Sequence, residues 1–225
     1  MLRAVLFDFN GVLVDDEPLH RRLLERVLGE EAIPAEPDWA AAFLGVSDRD
    51  SLRSAFARRG RELAPDQLQR LLARKSAYYQ QEVRRTGVPF APGVVEVVGA
   101  LRGGGLKLGI VTGALRHEVQ SALESVGLGS AFDVLVSAED VEHGKPDPEG
   151  YRHALVELNR APGGADRLVH PHEVLAVEDS PAGATAAAGA GLRVAALGAV
   201  VGGTIAAEPL ASLSLLTPEW LSGRF

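Results

Sequence analysis

Five short, predominantly apolar runs constrain the fold of this chain more than any other feature of its sequence. These runs are Ala4–Phe9, Leu106–Val111, Phe132–Val136, Val174–Val177 and Val194–Leu197. Apolar runs of this length without polar alternation are typical of strands that are buried on both faces of a parallel sheet. Helical patterns separate most of them, and the alternation of strand and helix predicts an α/β fold with right-handed crossovers.

The interval between the first two strands is too long for one crossover. About ninety residues lie between Phe9 and Leu106, whereas a crossover needs roughly a dozen or more. Apolar residues in this interval recur at helical spacing, and one such stripe consists of Leu68, Leu71, Leu72, Tyr79 and Val83. We therefore predict a helical domain over residues 15–88, inserted into a core domain formed by residues 1–14 and 89–225.

Composition narrows the class of protein. The chain has 225 residues, a net charge of -7 and no cysteine, and its mean hydropathy is +0.06. This length and hydropathy are typical of a globular chain with one core and a smaller insert, and no apolar run is long enough to span a membrane. The acidic balance disfavours nucleic-acid and anionic-membrane partners. The absence of cysteine excludes disulfides and thiolate chemistry. We expect a cytoplasmic protein with a monomer as the default state.

Polar residues capable of chemistry lie at or beyond the carboxyl ends of four of the five predicted strands. They are Asp8, Thr112 with the adjoining Gly113, Lys145, Glu178 and Asp179. In an open α/β sheet, ligands bind at the carboxyl ends of the strands. Carboxylate oxygens suit Mg²⁺, while a threonine hydroxyl, a backbone amide and a lysine can hold a phosphoryl group. Each residue alone is more often a cap or surface group, but together they predict a site for Mg²⁺ and phosphate.

In the order and spacing of these motifs the chain resembles the haloacid dehalogenase-like hydrolase superfamily. The matching segments are VLFDFNGVLVDD, IVTG, GKPDP and AVEDSPAG. The likeness is to the branch with a helical cap after the first strand, which includes phosphatases and mutases similar to β-phosphoglucomutase. It implies a Rossmann-like core of five parallel strands with an all-helical cap. It also implies a Mg²⁺-dependent phosphatase that acts on a small phosphorylated metabolite.

The resemblance also implies roles for individual residues. Asp8 is the nucleophile and forms an aspartyl-phosphate intermediate. Mg²⁺ is held by Asp8, by Asp179 and by the backbone carbonyl of Asn10, with Glu178 acting through a water or beside these ligands. The oxygens of the transferred group are bound by Thr112, Gly113 and Lys145, and Arg116 is a secondary phosphate candidate.

Asn10 departs from the family pattern. Relatives that transfer phosphoryl groups have a second aspartate at this position, which protonates the leaving group and activates water. An amide cannot do this, and the loss of general acid–base help costs about 10²–10⁴-fold in rate. Four explanations stay open: another acid replaces it, the Asn10-Gly11 pair deamidates, the substitution is engineered, or the protein no longer works as a phosphatase. Candidate replacements are Asp15, Asp16 and His20, although Asp16 is better explained as a helix cap before Pro18.

Other reactions of the superfamily fit the sequence less well. Dehalogenation needs no metal, and the paired acids Glu178 and Asp179 argue against it. Phosphonate cleavage needs a cap lysine, but we expect Lys75 to be an ordinary surface or rim lysine. Two alternatives to the phosphatase remain: a phosphomutase similar to β-phosphoglucomutase, and a catalytically weak protein that binds a phosphorylated ligand.

The inserted helices are expected to form a lid that selects the substrate. The stretch LGVSDRDSL, with Ser47, Asp48 and Arg49, resembles the cap specificity loop of the mutase-like relatives. Arg49 could hold a phosphate or carboxylate through two parallel hydrogen bonds, and Ser47 could equally cap a helix. His20 resembles a cap histidine of the same relatives, and the alternative is a solvated residue on the surface of a helix. We therefore predict His20 and Arg49 as substrate-binding residues of the cap.

Overall fold

The fold was determined from a computed structural model of the chain. It describes residues 2–36, 39, 48–160, 168–198 and 206–225. The described chain divides into two compact units, one formed by Met1–Asp15 with Pro89–Phe225 and the other by Asp16–Val88. None of the described helices combines the length and apolarity needed to cross a lipid bilayer.

A parallel β-sheet forms the centre of the first unit. Its strands are β1 (Ala4–Phe7), β2 (Lys107–Val111), β3 (Val134–Val136), β4 (Val174–Glu178), β5 (Arg193–Leu197) and β6 (Glu208–Leu210), in the spatial order β3-β2-β1-β4-β5-β6. Every adjacent pair is parallel. The α/β class and the five predicted strands are confirmed, but the count of five is wrong because the sheet has a sixth strand, β6.

The sixth strand lacks the signal by which the other five were found. Its three residues, Glu208, Pro209 and Leu210, contain one buried apolar side chain. Proline has no N–H to donate, so it is tolerated only where a strand lies at the edge of a sheet. β6 lies at that edge and pairs with β5 alone among the described strands. A short edge strand of this composition shows no apolar run.

Strands β1 and β4 are neighbours at the centre of the sheet, so the loops that follow them begin side by side. β1 pairs with β2 on one side and with β4 on the other, in the register Phe7↔Ile110 and Phe7↔Val177. All four residues of β1 are buried. From β1 the chain adds β2 and β3 on one side of the sheet, and β4, β5 and β6 lie on the other side. Where the strand order reverses in this way, a crevice opens at the carboxyl ends of the two central strands.

Eight helices lie within the described residues. They are α1 (Glu17–Glu30), α2 (Asp48–Arg58), α3 (Pro65–Thr86), α4 (Val94–Gly103), α5 (Arg116–Ser125), α6 (Glu149–Arg160), α7 (Pro181–Gly189) and α8 (Pro218–Ser222). Local sequence explains where several begin. At α7, Pro181 occupies the first turn and the Ser180 hydroxyl accepts the Gly183 amide at 3.0 Å. This is the N-cap arrangement that satisfies a free helix amide.

The second unit contains helices α1, α2 and α3 and has an apolar core of its own. That core consists of Leu24, Val27, Leu28, Ile33, Trp39, Leu52, Ala55, Phe56, Leu68 and Leu71. On each helix these residues recur three or four positions apart, so they form one buried face. The described part of this unit contains helices and no strand, as the sequence predicts for the insert.

Candidate functional site

Three carboxylates meet at the carboxyl ends of β1 and β4. Asp8 is the first residue beyond β1, Glu178 is the last residue of β4, and Asp179 follows it. One oxygen of each carboxylate lies within 4.8 Å of the others. The sequence predicts this convergence, and the adjacency of β1 and β4 in the sheet is what produces it.

Lys145 joins two of these carboxylates. Its Nζ lies 2.9 Å from Oδ2 of Asp8 and 2.7 Å from Oε1 of Glu178. The other oxygen of Asp8 accepts the Phe9 amide at 2.6 Å, so contacts on both oxygens fix the carboxylate. When all the side chains are ionised, three acids and one lysine leave two negative charges that a divalent cation could offset.

Glu178 is the most buried member of the cluster, with its side chain fully removed from solvent. Burial, together with the negative charge of Asp8, raises the pKa of Glu178 to about 8, against the opposing effects of Lys145 and Tyr151. The Tyr151 hydroxyl donates to Oε1 of Glu178. Tyr151 belongs to α6 and is itself buried, and burial raises the pKa of its phenol well above the usual value.

Two glycines allow the acidic side chains to lie against the backbone. A Cβ on Gly11 would lie 1.8 Å from Oδ2 of Asp179, and a Cβ on Gly183 would lie 1.8 Å from Oε2 of Glu178. Gly11 also has a φ of 79°, a conformation that side chains disfavour. Both positions therefore require glycine for reasons of space.

The cluster fits a hard divalent cation. Mg²⁺ is bound through a few carboxylate or carbonyl oxygens and keeps several waters, and Asp8, Glu178 and Asp179 supply oxygens at suitable separations. In addition, Oε2 of Glu178 is buried and has no hydrogen-bond partner among the described residues. The first unit thus contains an acidic group able to hold a metal ion.

Thr112 lies directly after β2 and is 6% exposed. Its Oγ1 accepts the Ala114 amide at 3.0 Å, which orients the hydroxyl as a donor toward a further acceptor. Gly113 lies in the same turn, between β2 and α5. Backbone amides and a hydroxyl in this position after a parallel strand can bind an anion.

Asn10 occupies the turn that follows β1. It forms an isolated β-bridge with Val14, and the Gly11 amide donates to the Val14 carbonyl at 2.7 Å. The chain therefore doubles back within four residues, and Asn10 stays in the turn that begins at Asp8. The role of its backbone carbonyl as a metal ligand stays a prediction.

In the second unit, a buried lysine connects residues of α1, α2 and α3. Lys75 is 2% exposed, and its Nζ lies 2.6 Å from both Asp48 oxygens and 2.7 Å from Nδ1 of His20. The His20 ring stacks on Tyr79 with centroids 4.7 Å apart. Oδ2 of Asp16 accepts the Tyr79 hydroxyl at 2.7 Å and lies 3.2 Å from Nε2 of His20.

Two sequence interpretations are wrong here. Lys75 is not a surface or rim lysine, because it lies on the buried face of α3. Its spacing after Leu71 and before Tyr79 places it on their stripe, and this signal was available in the sequence. Asp16 immediately precedes α1 but makes no side-chain cap hydrogen bond, since its carboxylate is directed toward His20 and Tyr79 instead.

The structure locates the remaining cap residues only in part. Arg49 is exposed in the first turn of α2, next to Asp48. Ser47 lies outside the described residues, so its predicted role as a helix cap or in a specificity loop has no structural counterpart. In the first unit, Tyr151 was missed by sequence reasoning because its spacing within α6 is that of an ordinary core residue.

Comparisons with known proteins agree with this architecture. The haloacid dehalogenase-like hydrolase family model matches residues 5–197. The chain is 31% identical over 198 residues to validoxylamine A 7'-phosphate phosphatase of Streptomyces hygroscopicus subsp. limoneus, covering 85% of this chain and 84% of that protein. It is 30% identical over 193 residues to phosphorylated carbohydrates phosphatase of Thermotoga maritima, covering 85% and 83%. The crystal structure of CbbY from Rhodobacter sphaeroides in complex with phosphate has a TM-score of 0.77 at 24% identity, covering 99% of this chain and 100% of that one.

Proposed function

Since this chain belongs to the haloacid dehalogenase-like hydrolase family, we propose that it is a Mg²⁺-dependent phosphatase acting on a small phosphorylated metabolite. The observation that carries the proposal is the placement of Asp8 among Lys145, Glu178 and Asp179 at the carboxyl edge of the sheet. Two relatives of which the chain covers more than four fifths are phosphatases of phosphorylated compounds. The name of the Thermotoga maritima relative specifies phosphorylated carbohydrates, and this favours a sugar phosphate.

In the proposed reaction an oxygen of Asp8 attacks phosphorus, and the bond between phosphorus and the leaving alcohol breaks. Water then cleaves the resulting acyl phosphate, which releases inorganic phosphate and restores the carboxylate. Lys145 neutralises charge on the transferred oxygens, and Thr112 with Gly113 donates hydrogen bonds to them. Asp8, Asp179, the Asn10 carbonyl and Glu178 would hold Mg²⁺, which when bound screens the repulsion between the carboxylate and the phosphoryl group.

The helical unit is proposed as a cap that selects the leaving group. His20 and Arg49 are the side chains that we assign to substrate binding there. His20 is about a third exposed and is held in place by Lys75, Asp16 and Tyr79. A fixed, partly exposed imidazole is suited to hydrogen-bond a substrate hydroxyl, whereas the exposed guanidinium of Arg49 is suited to an anionic group.

The amide side chain of Asn10 leads to a quantitative prediction for kcat. The amide cannot exchange a proton with the leaving group or with water, so turnover should be slow. Replacing it by aspartate restores a carboxyl group and should raise kcat by about 10²–10⁴-fold. Because the metal contact assigned to this residue is its backbone carbonyl, the Mg²⁺ requirement should stay the same.

The test measures phosphate release from a panel of sugar phosphates with and without Mg²⁺. It compares the unmodified protein, Asn10→Asp, Asp8→Asn and the control Asp66→Asn, whose carboxylate is exposed in α3 and 71% accessible. Asp8→Asn should abolish activity and Asp66→Asn should not change it. An acid quench followed by peptide mass spectrometry should find the phosphoryl group on Asp8, and the same peptide map shows whether Asn10 has deamidated.

Other outcomes separate the alternatives. Interconversion of a hexose 1-phosphate and 6-phosphate, followed by ³¹P NMR, would favour a phosphomutase. If neither the unmodified protein nor Asn10→Asp releases phosphate while inorganic phosphate still binds, the enzyme proposal is wrong and a binding protein remains. Equal rates in both forms would show that another residue supplies the proton.

A further inference from the structure

The loops after β2 and β3 carry the residues that we assign to phosphate binding. We call residues 112–115 the threonine loop and residues 137–148 the lysine loop. The Thr112 amide donates to the Val136 carbonyl at 3.0 Å, and the Ala138 amide donates to the Ala114 carbonyl at 3.0 Å. These bonds join the two loops where they leave the sheet, but neither reaches the part of the lysine loop that carries Lys145.

Asp140 anchors the first half of the lysine loop. A single oxygen, Oδ2, accepts the Ser137 amide at 2.7 Å, the Ser137 hydroxyl at 2.6 Å and Nη2 of Arg116. Burial raises the pKa of Asp140, but the hydrogen bonds from Ser137 and the charge of Arg116 outweigh it and leave that pKa below its usual value. The ionised carboxylate therefore links two donors of the lysine loop to the side chain of Arg116, the residue that directly follows the threonine loop.

Arg116, the first residue of α5, is directed toward the lysine loop. Its Nη2 also donates to the Leu135 carbonyl at 3.1 Å, and its backbone amide donates to Oε2 of Glu139 at 2.8 Å. The guanidinium and the amide are thus both engaged by groups of β3 and the loop that follows it. This occupancy argues against the secondary role that the sequence suggested, in which Arg116 binds phosphate itself.

The second half of the lysine loop is held by a different carboxylate. Glu149, at the start of α6, accepts the amides of Glu142 and His143 at 2.8 and 2.9 Å. Lys145 therefore lies between two fixed points, Asp140 before it and Glu149 after it. Of these two carboxylates, only Asp140 contacts Arg116, which directly follows the threonine loop.

We propose that Arg116 and Asp140 are positioning residues that hold Thr112 and Lys145 at the separation needed to bind one phosphoryl group. This inference rests on the proposed function. An exposed ion pair contributes only about 0–1 kcal/mol to stability, and this pair is partly exposed, with 38% of the Arg116 side chain and 23% of the Asp140 side chain accessible. The pair should therefore affect geometry much more than folding. A displacement of about 1 Å in a binding residue can cost on the order of 10²-fold in rate.

The experiment measures the Kd of inorganic phosphate in the presence of Mg²⁺, kcat, KM and Tm. The variants are Arg116→Ala, Arg116→Lys, Asp140→Asn and the double variant Arg116→Ala/Asp140→Asn. The control is Arg160→Ala, which removes an exposed ion pair to Glu157 on α6 of the same unit. Arg116→Ala and Asp140→Asn should each weaken phosphate binding by about 10- to 100-fold. Tm of Arg116→Ala should change no more than in the control, whereas Asp140→Asn should lower Tm further because it also weakens the bonds from Ser137.

The double variant should be no weaker than either single variant, because both remove the same link. Arg116→Lys should fail to rescue, since an ammonium cannot reproduce contacts made through a planar guanidinium. If Arg116→Ala weakens phosphate binding but Asp140→Asn does not, Arg116 is a direct phosphate ligand and the inference is wrong. Unchanged phosphate affinity in both variants also overturns it. Failure of the unmodified protein to bind phosphate would instead overturn the proposed function, and this inference with it.

Discussion

Gly183→Ala provides a sharp test of the packing around Glu178. Gly183 is the third residue of α7, where alanine is the better helix former by about 1 kcal/mol. In this structure, however, the added Cβ would lie 1.8 Å from Oε2 and 2.1 Å from Cδ of Glu178. Ordinary van der Waals contact begins at 3.4 Å, so the carboxylate would have to move by about 1.6 Å.

The contacts of Glu178 oppose such a movement. Its side chain is fully buried and is held by Lys145 at 2.7 Å and by the Tyr151 hydroxyl. Overpacking of this kind costs about 1–3 kcal/mol. Because the raised pKa of Glu178 keeps its carboxyl group protonated near neutral pH, weakening a hydrogen bond to it adds about 0.5–1.5 kcal/mol. After the gain in helix propensity, we expect a net destabilisation of about 2 kcal/mol.

The assay is thermal unfolding with a chelator present, so that metal binding does not contribute. A loss of about 2 kcal/mol corresponds to a fall in Tm of roughly 4–8 °C for a chain of this size. The matched control is Gly99→Ala in α4, where nothing lies within 4 Å of the new Cβ and alanine should stabilise by about 0.5–1 kcal/mol. If Gly183→Ala were as stable as Gly99→Ala, the placement of Glu178 against α7 would be refuted.

Two further predictions concern buried ionisable groups. Burial lowers the pKa of Lys75, against the effect of Asp48. We expect Lys75→Met to change the free energy of unfolding by no more than about 1 kcal/mol, because the Asp48 side chain that loses its partner is 41% exposed and can be hydrated. A loss above about 3 kcal/mol, measured by urea titration, would contradict this expectation. For Glu178, the folded pKa of about 8 exceeds the usual 4.5, so between these pH values the folded protein holds a proton that the unfolded chain has released. The metal-free protein should therefore lose stability as pH rises through this window. Urea titrations at several pH values should show that the free energy of unfolding falls less steeply with pH in Glu178→Gln than in the unmodified protein. An equal dependence on pH in both forms would assign the effect to another group.

Sequence patterns predicted most of the core sheet because buried parallel strands leave a strong signal. β2 and β5 were predicted to within one residue at their ends, whereas the predicted first strand, Ala4–Phe9, extended past the end of β1 at Phe7. The error arose because Phe9 is apolar and buried although it lies in the following turn. β6 was not predicted because its three residues include Glu208 and Pro209, and a short segment with these two residue types is more typical of a loop than of a strand.

The helical unit shows where local reasoning was incomplete. A stripe of apolar residues predicted the buried face of α3, yet Lys75 lies on that face between Leu71 and Tyr79. The charge of lysine suggested exposure, but partners from α1 and α2 make burial tolerable. Asp16 was assigned to a cap by its position before Pro18, and only the packing of α1 against α3 shows that its carboxylate accepts from Tyr79 instead.

The sequence alone determined the chemistry available to this protein, because residue types and their order after apolar runs can be read without coordinates. It identified Asp8, Lys145 and the acids that end β4, and it identified Asn10 as the position where an acid is absent. The tertiary structure decided what those residues contact. The adjacency of β1 and β4 brings Asp8 to Glu178, and the lysine loop is joined to the first residue of α5 through Asp140 and Arg116. The physical reason is that strand order and burial depend on contacts between distant segments, which no local pattern encodes.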